Sequence, residues 1–453
     1  MFSEKALTAL DRLGNIIWGP WVLLMMLGLG LGLSVATRGF QLRRLPGIAR
    51  RTAGSLLHGA GGGVHGLSPF QAVSTALAGT IGTGNVAGVA TAIVAGGPGA
   101  VFWMWVSAFV GMMIKYAEVL LAVRFRERGP DGKYRGGPME YMVKGLGARG
   151  LAWCFALFCM LSSLGTGSAT QINTMAQGLR HSLGIPPLLT GAVTAALVCL
   201  VTAGGLGRIG WLSERVVPLM ALLYMAGGCV VLAAHRAALP GVLRMILEQA
   251  FAPRAAAGGC AGYCMTTALR YGISRGIFSN EAGLGSAPMA HGGSDAVGPV
   301  EQGMWGIFEV FVDTVVMCGF TALVVLSCGD LWQGGLDGAA LTAAAFSGVL
   351  GHWGGRLVSL SMIFFAFSSI LCWSYYGERA VGYLTGGSRG ALRLYRAILL
   401  AVTVAAAPAD SVLIWSAADL LNGLMALPNM IALAALSGEV VRVTRDWERR
   451  NPR

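Results

Sequence analysis

The chain has 453 residues, 55% hydrophobic and only 12% charged, about half the ~25% charged share of a soluble domain; a soluble enzyme this long could not cover its surface, and so apolar a chain cannot stay disordered. Its 68 glycines follow no G-X-Y period, so collagen is excluded and the composition reads as a polytopic helical membrane protein, in which small residues let helices approach closely. The net charge of +12 fits basic loops beside a lipid bilayer better than nucleic acid, because Lys and Arg gather in the cytoplasmic loops of such proteins.

Eleven spans are expected in chain order. Ile16–Ala36 has 21 residues without a charge, long enough to cross a membrane. Ser34-Val35-Ala36 resembles a signal cleavage site, but Glu4 and Asp11 precede the run and five arginines (38–51) follow it; a retained first helix is expected. Gly66–Ile114 is charge-free for 49 residues and divides at Gly96-Gly97-Pro98-Gly99 into two spans. The others fall at about 151–180, 186–206, 214–234, 258–290, 300–328, 355–384, 391–407 and 411–437, with Val242–Phe251 and Gly338–Leu350 as short helices outside the membrane. With the N-terminus outside, cytoplasmic segments hold 22 Lys/Arg and outer segments seven, which predicts a cytoplasmic C-terminus. The nine cysteines are odd in number and lack a CxxC, so they read as small apolar helix residues. Cys260 and Cys264 share a helix face but have no nearby histidine to complete a metal pair.

Two spans are broken. The second contains Ala78-Gly79-Thr80-Ile81-Gly82-Thr83-Gly84-Asn85, and the seventh contains Gly276-Ile277-Phe278-Ser279-Asn280-Glu281-Ala282-Gly283-Leu284-Gly285-Ser286-Ala287-Pro288. They are five spans apart, so they cross in opposite directions. Opened backbone is tolerated at this depth only where it lines a cavity or packs in protein, and paired breaks of opposite topology point to a transporter site. The exposed N–H groups of half-helices suit a carboxylate. Unwound carbonyls and hydroxyls suit a hard cation such as Na⁺. None of the six histidines falls in the middle of a predicted span, which argues against a histidine proton relay and favours Na⁺ over H⁺.

GGPGAVFWMWVSAFVG (96–111), GTIGTGNVAG (79–88), KYAEVLLAVRFR (115–126), GGPMEYM (136–142), RGIFSNEAGLGSAP (275–288) and WSYYGERA (373–380) closely resemble the motifs of the alanine/glycine:cation symporter family, over about residues 66–437. The resemblance implies an all-α polytopic membrane protein of the leucine-transporter type. It would have a 5+5 inverted repeat, 66–234 and 235–437, after an N-terminal helix and loop (1–65) and before a cytoplasmic tail (438–453). It also implies a secondary symporter, not an enzyme, in the cell membrane, importing a small neutral amino acid such as alanine or glycine with Na⁺ as coupling ion. An H⁺-coupled or differently selective carrier of the same fold is the alternative. The sequence does not give an oligomeric state.

By the same resemblance, the carbonyls of Ala78 and Ile81 would join Ser368 and Ser369 around Na⁺. A hydroxyl bonded back to its own helix is the competing reading for the serines. Asn85 would ligate an ion or cap the second half-helix. The substrate carboxylate is expected on the break at Thr80, Gly82, Thr83 and Gly84, and the ammonium beside Ser279 and Asn280. Gln171 resembles a substrate-contacting glutamine, although Ser168 stands where the family has Asn. Phe278 and Trp373 would wall the pocket. Among the other charges, Lys115 and Glu118 are expected to pair with each other. Arg275 and Glu281 would gate the path or form a network, Glu309 and Asp313, i, i+4 on one face, would make hydrogen bonds between helices rather than a relay, and Glu378 and Arg379 would be structural.

Overall fold

Helices follow the predicted spans, and local chemistry sets where they start and stop. The computed structural model describes residues 10, 12–14, 16–52, 66–129, 132–251, 261–296 and 298–451, the side chains of Pro20 and 261–266 excepted. His58, His65, Cys260, Arg254, Arg453 and the side chain of Cys264 therefore lie outside the described residues.

After α1 (Pro20–Ala36) and two short helices (Phe40–Arg43, Leu45–Arg51), the second span divides into α2 (Pro69–Thr80) and α3 (Ala87–Gly96). Ser68 and Gln71 form a capping box at the start of α2, and Pro69 fills its first turn, a position where its missing N–H costs nothing. The helix stops at Ile81, Gly82 is extended, and a single turn of Thr83–Asn85 leads into α3. Then come α4 (Gly99–Arg124), a two-stranded hairpin pairing Glu127 with Arg135, α5 (Pro138–Leu146), α6 (Arg149–Leu183), α7 (Pro187–Thr202), α8 (Gly205–Ala234) and α9 (Leu239–Phe251).

The seventh span is α10 (Ala261–Asn280) and, after turns, α11 (Pro288–Gly292). Glu281 has φ +54°, and Gly283 and Gly285 have φ +90° and +80°. The glycines adopt this region freely, whereas Glu281 is strained there and must be held by its neighbours. The remaining helices are α12 (Pro299–Ser327), α13 (Gly338–Leu350), α14 (His352–Leu384), α15 (Arg389–Ala406), α16 (Ser411–Ala435) and α17 (Ser437–Arg450). Six of these, α4, α6, α8, α12, α14 and α16, are long and apolar enough to cross a membrane by length and composition among the described residues, and α3, α7 and α13 are shorter apolar helices.

The α4 helix packs on α10 and α12, and α6 packs on α14 and α16. The chain entering the first break and the chain leaving the second are joined: Leu67 N donates to Gly293 O at 3.1 Å and Asp295 N to Leu67 O at 2.8 Å. Two wide π-type stretches interrupt long helices, Gly165–Ala169 in α6 and Phe311–Cys318 in α12. Such turns re-aim side chains and cluster at functional sites. The sequence did not signal them, nor that residues 437–450 of the expected tail form a helix.

Candidate functional site

The two breaks lie against one another: a Cβ placed on Gly84 would sit 3.6 Å from the Phe278 ring. Around the first break, Asn85 Oδ1 accepts from Gly82 N at 3.0 Å. Gln171 Oε1 accepts from both Thr83 N and Thr83 Oγ1 at 3.1 Å. Ser369 Oγ donates to Ala78 O at 3.0 Å. Gly82 is enclosed so closely by Ser369 and Gln171 that an added Cβ would meet their oxygens at 2.8 and 3.0 Å. The structure thus brings Ala78, Gly82, Thr83, Asn85, Gln171 and Ser369 together. Thr80 is buried, its hydroxyl directed to Leu77 O at 3.5 Å. Ser368 is placed differently, with Oγ bonded to Phe365 O of its own helix at 3.0 Å and 3.6 Å from Met220 Sδ. This is the back-bonding that competes for any hydroxyl on a helix.

At the second break, Asn280 caps its own turn by accepting from Ala282 N at 3.0 Å, and its Nδ2 donates to Thr314 Oγ1 at 3.1 Å. Ser279 Oγ donates to Asp313 Oδ2 at 2.8 Å. Asp313, fully buried in the wide turn of α12, also accepts from Asn85 Nδ2 at 2.7 Å and Thr314 Oγ1 at 2.8 Å. One carboxylate therefore ties both breaks together. Its sequence signal was an acid within a predicted span, four residues after Glu309, and intramembrane ionisable residues are functional candidates; the interhelical bonding expected of it is what forms.

Trp373 stands behind the second break, Nε1 donating to Glu281 at 2.9 Å, with its side chain over Gly167, where a Cβ would lie 2.3 Å away. Phe278 stacks on Trp415 with centroids 5.2 Å apart. The Arg275 guanidinium lies 5.3 Å from the Trp415 ring centre and 3.7 Å from Asp419. Arg275, Trp415 and Asp419, with Gly88, Thr174 and Asp337 among others, line a cavity of about 950 Å³. Apart from Arg275, none of the residues discussed at the two breaks lines it.

One expected pairing differs, that of Lys115 with Glu118, and the other charged residues find partners on other helices. Lys115 Nζ meets Glu309 at 3.3 Å, while Glu118 accepts from Gly285 N at 3.0 Å and Asn429 Nδ2 at 2.6 Å. Arg275 pairs with Asp419, while Glu281 holds Trp373 and the Ser286 hydroxyl. Glu378 pairs with Arg396 at 2.7 Å and Arg379 with Glu140 at 2.5 Å. His291 lies outside the middle of any predicted span, yet it does not reach the surface. His291 is fully buried, 3.1 Å from Glu309 Oε2, because the turns at 281–287 keep α11 within the packed interior rather than letting it run on to the surface.

Comparison with known proteins decides the family. Residues 3–453 match the sodium:alanine symporter family. The chain belongs to this family. It is 41% identical over 442 residues to the sodium/alanine symporter AgcS of Methanococcus maripaludis, covering 96% of each chain. It is 36% identical to the probable sodium/glutamine symporter GlnT of Bacillus subtilis, covering 96% of this chain and 89% of that one. Among solved structures, a manganese transporter of Eremococcus coleocola superposes with a TM-score of 0.50 at 13% identity, covering 81% of this chain and 76% of the other. The fold of this sodium:alanine symporter family member is the leucine-transporter type, and the protein is a multi-pass membrane transporter, not an enzyme.

Proposed function

We propose that this chain imports a small neutral amino acid, alanine or glycine, together with Na⁺. The observation that carries the reading is the polar junction of the two breaks, Asn85–Asp313–Ser279, which couples the segments that would hold ion and substrate. The carbonyls of Ala78 and Ile81 and the hydroxyl of Ser369 offer Na⁺ hard oxygen ligands. Asn85 and Asp313 offer a second oxygen set, and Ser368 joins only by turning away from Phe365. The substrate carboxylate takes N–H groups between Thr80 and Gly84, with Gln171 beside them, and the ammonium faces Ser279 and Asn280. Phe278 and Trp373 leave room for a methyl group but not an isobutyl group; overpacking such a pocket costs about 1–3 kcal/mol.

In this reading the cavity on the α13 side is the outer vestibule, closed below by Arg275, Asp419, Phe278 and Trp415. The N-terminus is outside and the C-terminus cytoplasmic, and a four-helix bundle drawn from the two repeats, 66–234 and 235–437, rocks against the remaining scaffold in alternating access. Labelled alanine uptake into proteoliposomes tests it. Uptake should need an inward Na⁺ gradient and be competed by glycine but not by leucine or glutamine. Full uptake driven by a pH gradient in Na⁺-free buffer would overturn the coupling, and equal competition by glutamine the selectivity.

A further inference from the structure

The short helices after α1 meet α17 in a basic surface that the transport site does not use. Segments 38–51 and 437–450 hold nine arginines against the acids Glu439, Asp446 and Glu448. Glu448 is shared by Arg43 at 2.6 Å and Arg44 at 3.4 Å, Glu439 by Arg124 and Arg442, and Asp446 lies 3.6 Å from Arg449. Glu301 of α12 is a further acid at this face, and it accepts from Trp447 Nε1 at 2.6 Å. Among the described residues, Arg38, Arg50, Arg51, Arg445 and Arg450 have no carboxylate in ion-pair range, and all five are exposed.

The fold holds these cations together. Arg43 donates to Arg38 O at 3.2 Å and Thr37 O at 3.4 Å, and Arg445 donates to Ala36 O at 3.1 Å, so both sit on the last carbonyls of α1, where positive charge is favoured. Arg44 and Arg51 lie over the Trp447 ring, 5.7 and 5.2 Å from its centre. The depth of the surface follows from α1. Its 17 residues, at ~1.5 Å each, rise about 25 Å, most of the ~30 Å hydrocarbon core. Exposed Trp21 stands in its first turn and exposed Arg38 just past its end, residue types that mark the two interfaces of a bilayer. Between them Leu24, Gly28, Leu31 and Val35 form one outward stripe. Leu24 is 68% and Val35 78% exposed, and a Cβ on Gly28 would meet nothing. Leu42 and Leu45, also exposed, continue the apolar surface among the arginines.

We propose that this surface binds the phosphate headgroup of an anionic phospholipid, from the leaflet at the C-terminal end of α1, with an acyl chain along the Leu24–Val35 stripe. The planar fork of arginine matches phosphate oxygens, and a guanidinium without an acid partner is available to them. A free phosphate would use the arginines alone, whereas a lipid also covers the leucines beside them. A zwitterionic lipid offers the same phosphate, but its own cation is repelled by the surplus of arginines. α17 is bonded to α4 through Thr444 and Tyr116 at 2.7 Å and to α12 through Trp447 and Glu301, so a lipid held here braces α17 against both helices. The binding does not depend on which amino acid or ion the protein carries.

Native mass spectrometry of the full-length protein in detergent, given phosphatidylglycerol or phosphatidylcholine with the same acyl chains, tests the proposal. Wild type should retain phosphatidylglycerol about fivefold more than phosphatidylcholine or better. Arg38→Gln, Arg50→Gln and Arg445→Gln combined should cut that preference about threefold or more. Arg389→Gln with Arg393→Gln, exposed arginines at the start of α15, should leave it unchanged. Equal retention of the two lipids by wild type overturns the proposal whether or not the variants fold. An equal loss in both variants also overturns it, since general charge attraction would then be enough. Thermal unfolding in detergent separates the sources of phosphate. Phosphatidylglycerol should raise the wild-type midpoint and inorganic phosphate should not; an equal rise with inorganic phosphate would overturn the assignment to a lipid.

Discussion

Gly82→Ala probes the meeting point of break, serine and glutamine. Gly82 has φ −125° and ψ −156°, extended backbone that alanine adopts readily, so any effect comes from space. The new methyl would lie 2.8 Å from Ser369 Oγ and 3.0 Å from Gln171 Oε1. Relief requires Ser369 to rotate and give up its 3.0 Å bond to Ala78 O, or Gln171 to withdraw from Thr83. Leaving a buried polar group unsatisfied costs about 1–3 kcal/mol. At about 2 kcal/mol, the Na⁺ concentration for half-maximal uptake rises roughly 30-fold, since ~1.4 kcal/mol is tenfold. Ser369→Ala alone removes the same bond without the clash. The pair should therefore be less than additive, with a coupling of about 1 kcal/mol in a double-mutant cycle. Initial uptake rates against Na⁺, at fixed protein in the membrane, read all four proteins. Wild-type Na⁺ dependence in Gly82→Ala, or strict additivity, would refute the close packing of these three residues.

Asp313→Asn replaces the carboxylate between the breaks by a neutral amide. The Na⁺ requirement should rise more than tenfold while alanine competition at saturating Na⁺ changes less, as equilibrium binding would show. Trp373→Ala should admit valine and leucine and weaken alanine, measured by competition; a variant as selective as wild type would remove Trp373 from the pocket wall. Trp373→Phe keeps most of the ring but strips Glu281 of its indole donor, and thermal unfolding in detergent should show a loss of about 1–3 kcal/mol. A cysteine in place of Arg450 should react with a membrane-impermeant reagent only after cells are opened; labelling in intact cells would reverse the orientation.

Composition, charge-free runs and their spacing were enough to read a multi-spanning helical transporter, because in lipid every backbone polar group must be satisfied within a helix and long apolar stretches have no other stable form. The two breaks were legible for the same reason: glycines and hydroxyls at mid-span mark where the helix opens, and both open there. The motif residues also led to the family. Partners of buried charges were not legible. Sequence spacing put Lys115 with Glu118, but three-dimensional packing of α4 on α12 set it against Glu309, since position along one helix says nothing about which neighbour approaches from another. The wide turn at 311–318, invisible in the amino-acid pattern, aims Asp313 at both breaks. The left-handed backbone at Glu281, Gly283 and Gly285 leads into α11, whose His291 is buried, a burial that its place beyond the predicted span did not reveal. The sequence determined which residues are dear to bury; only the tertiary structure decided with whom each one is buried, because that choice depends on helix crossings made by residues far apart in the chain.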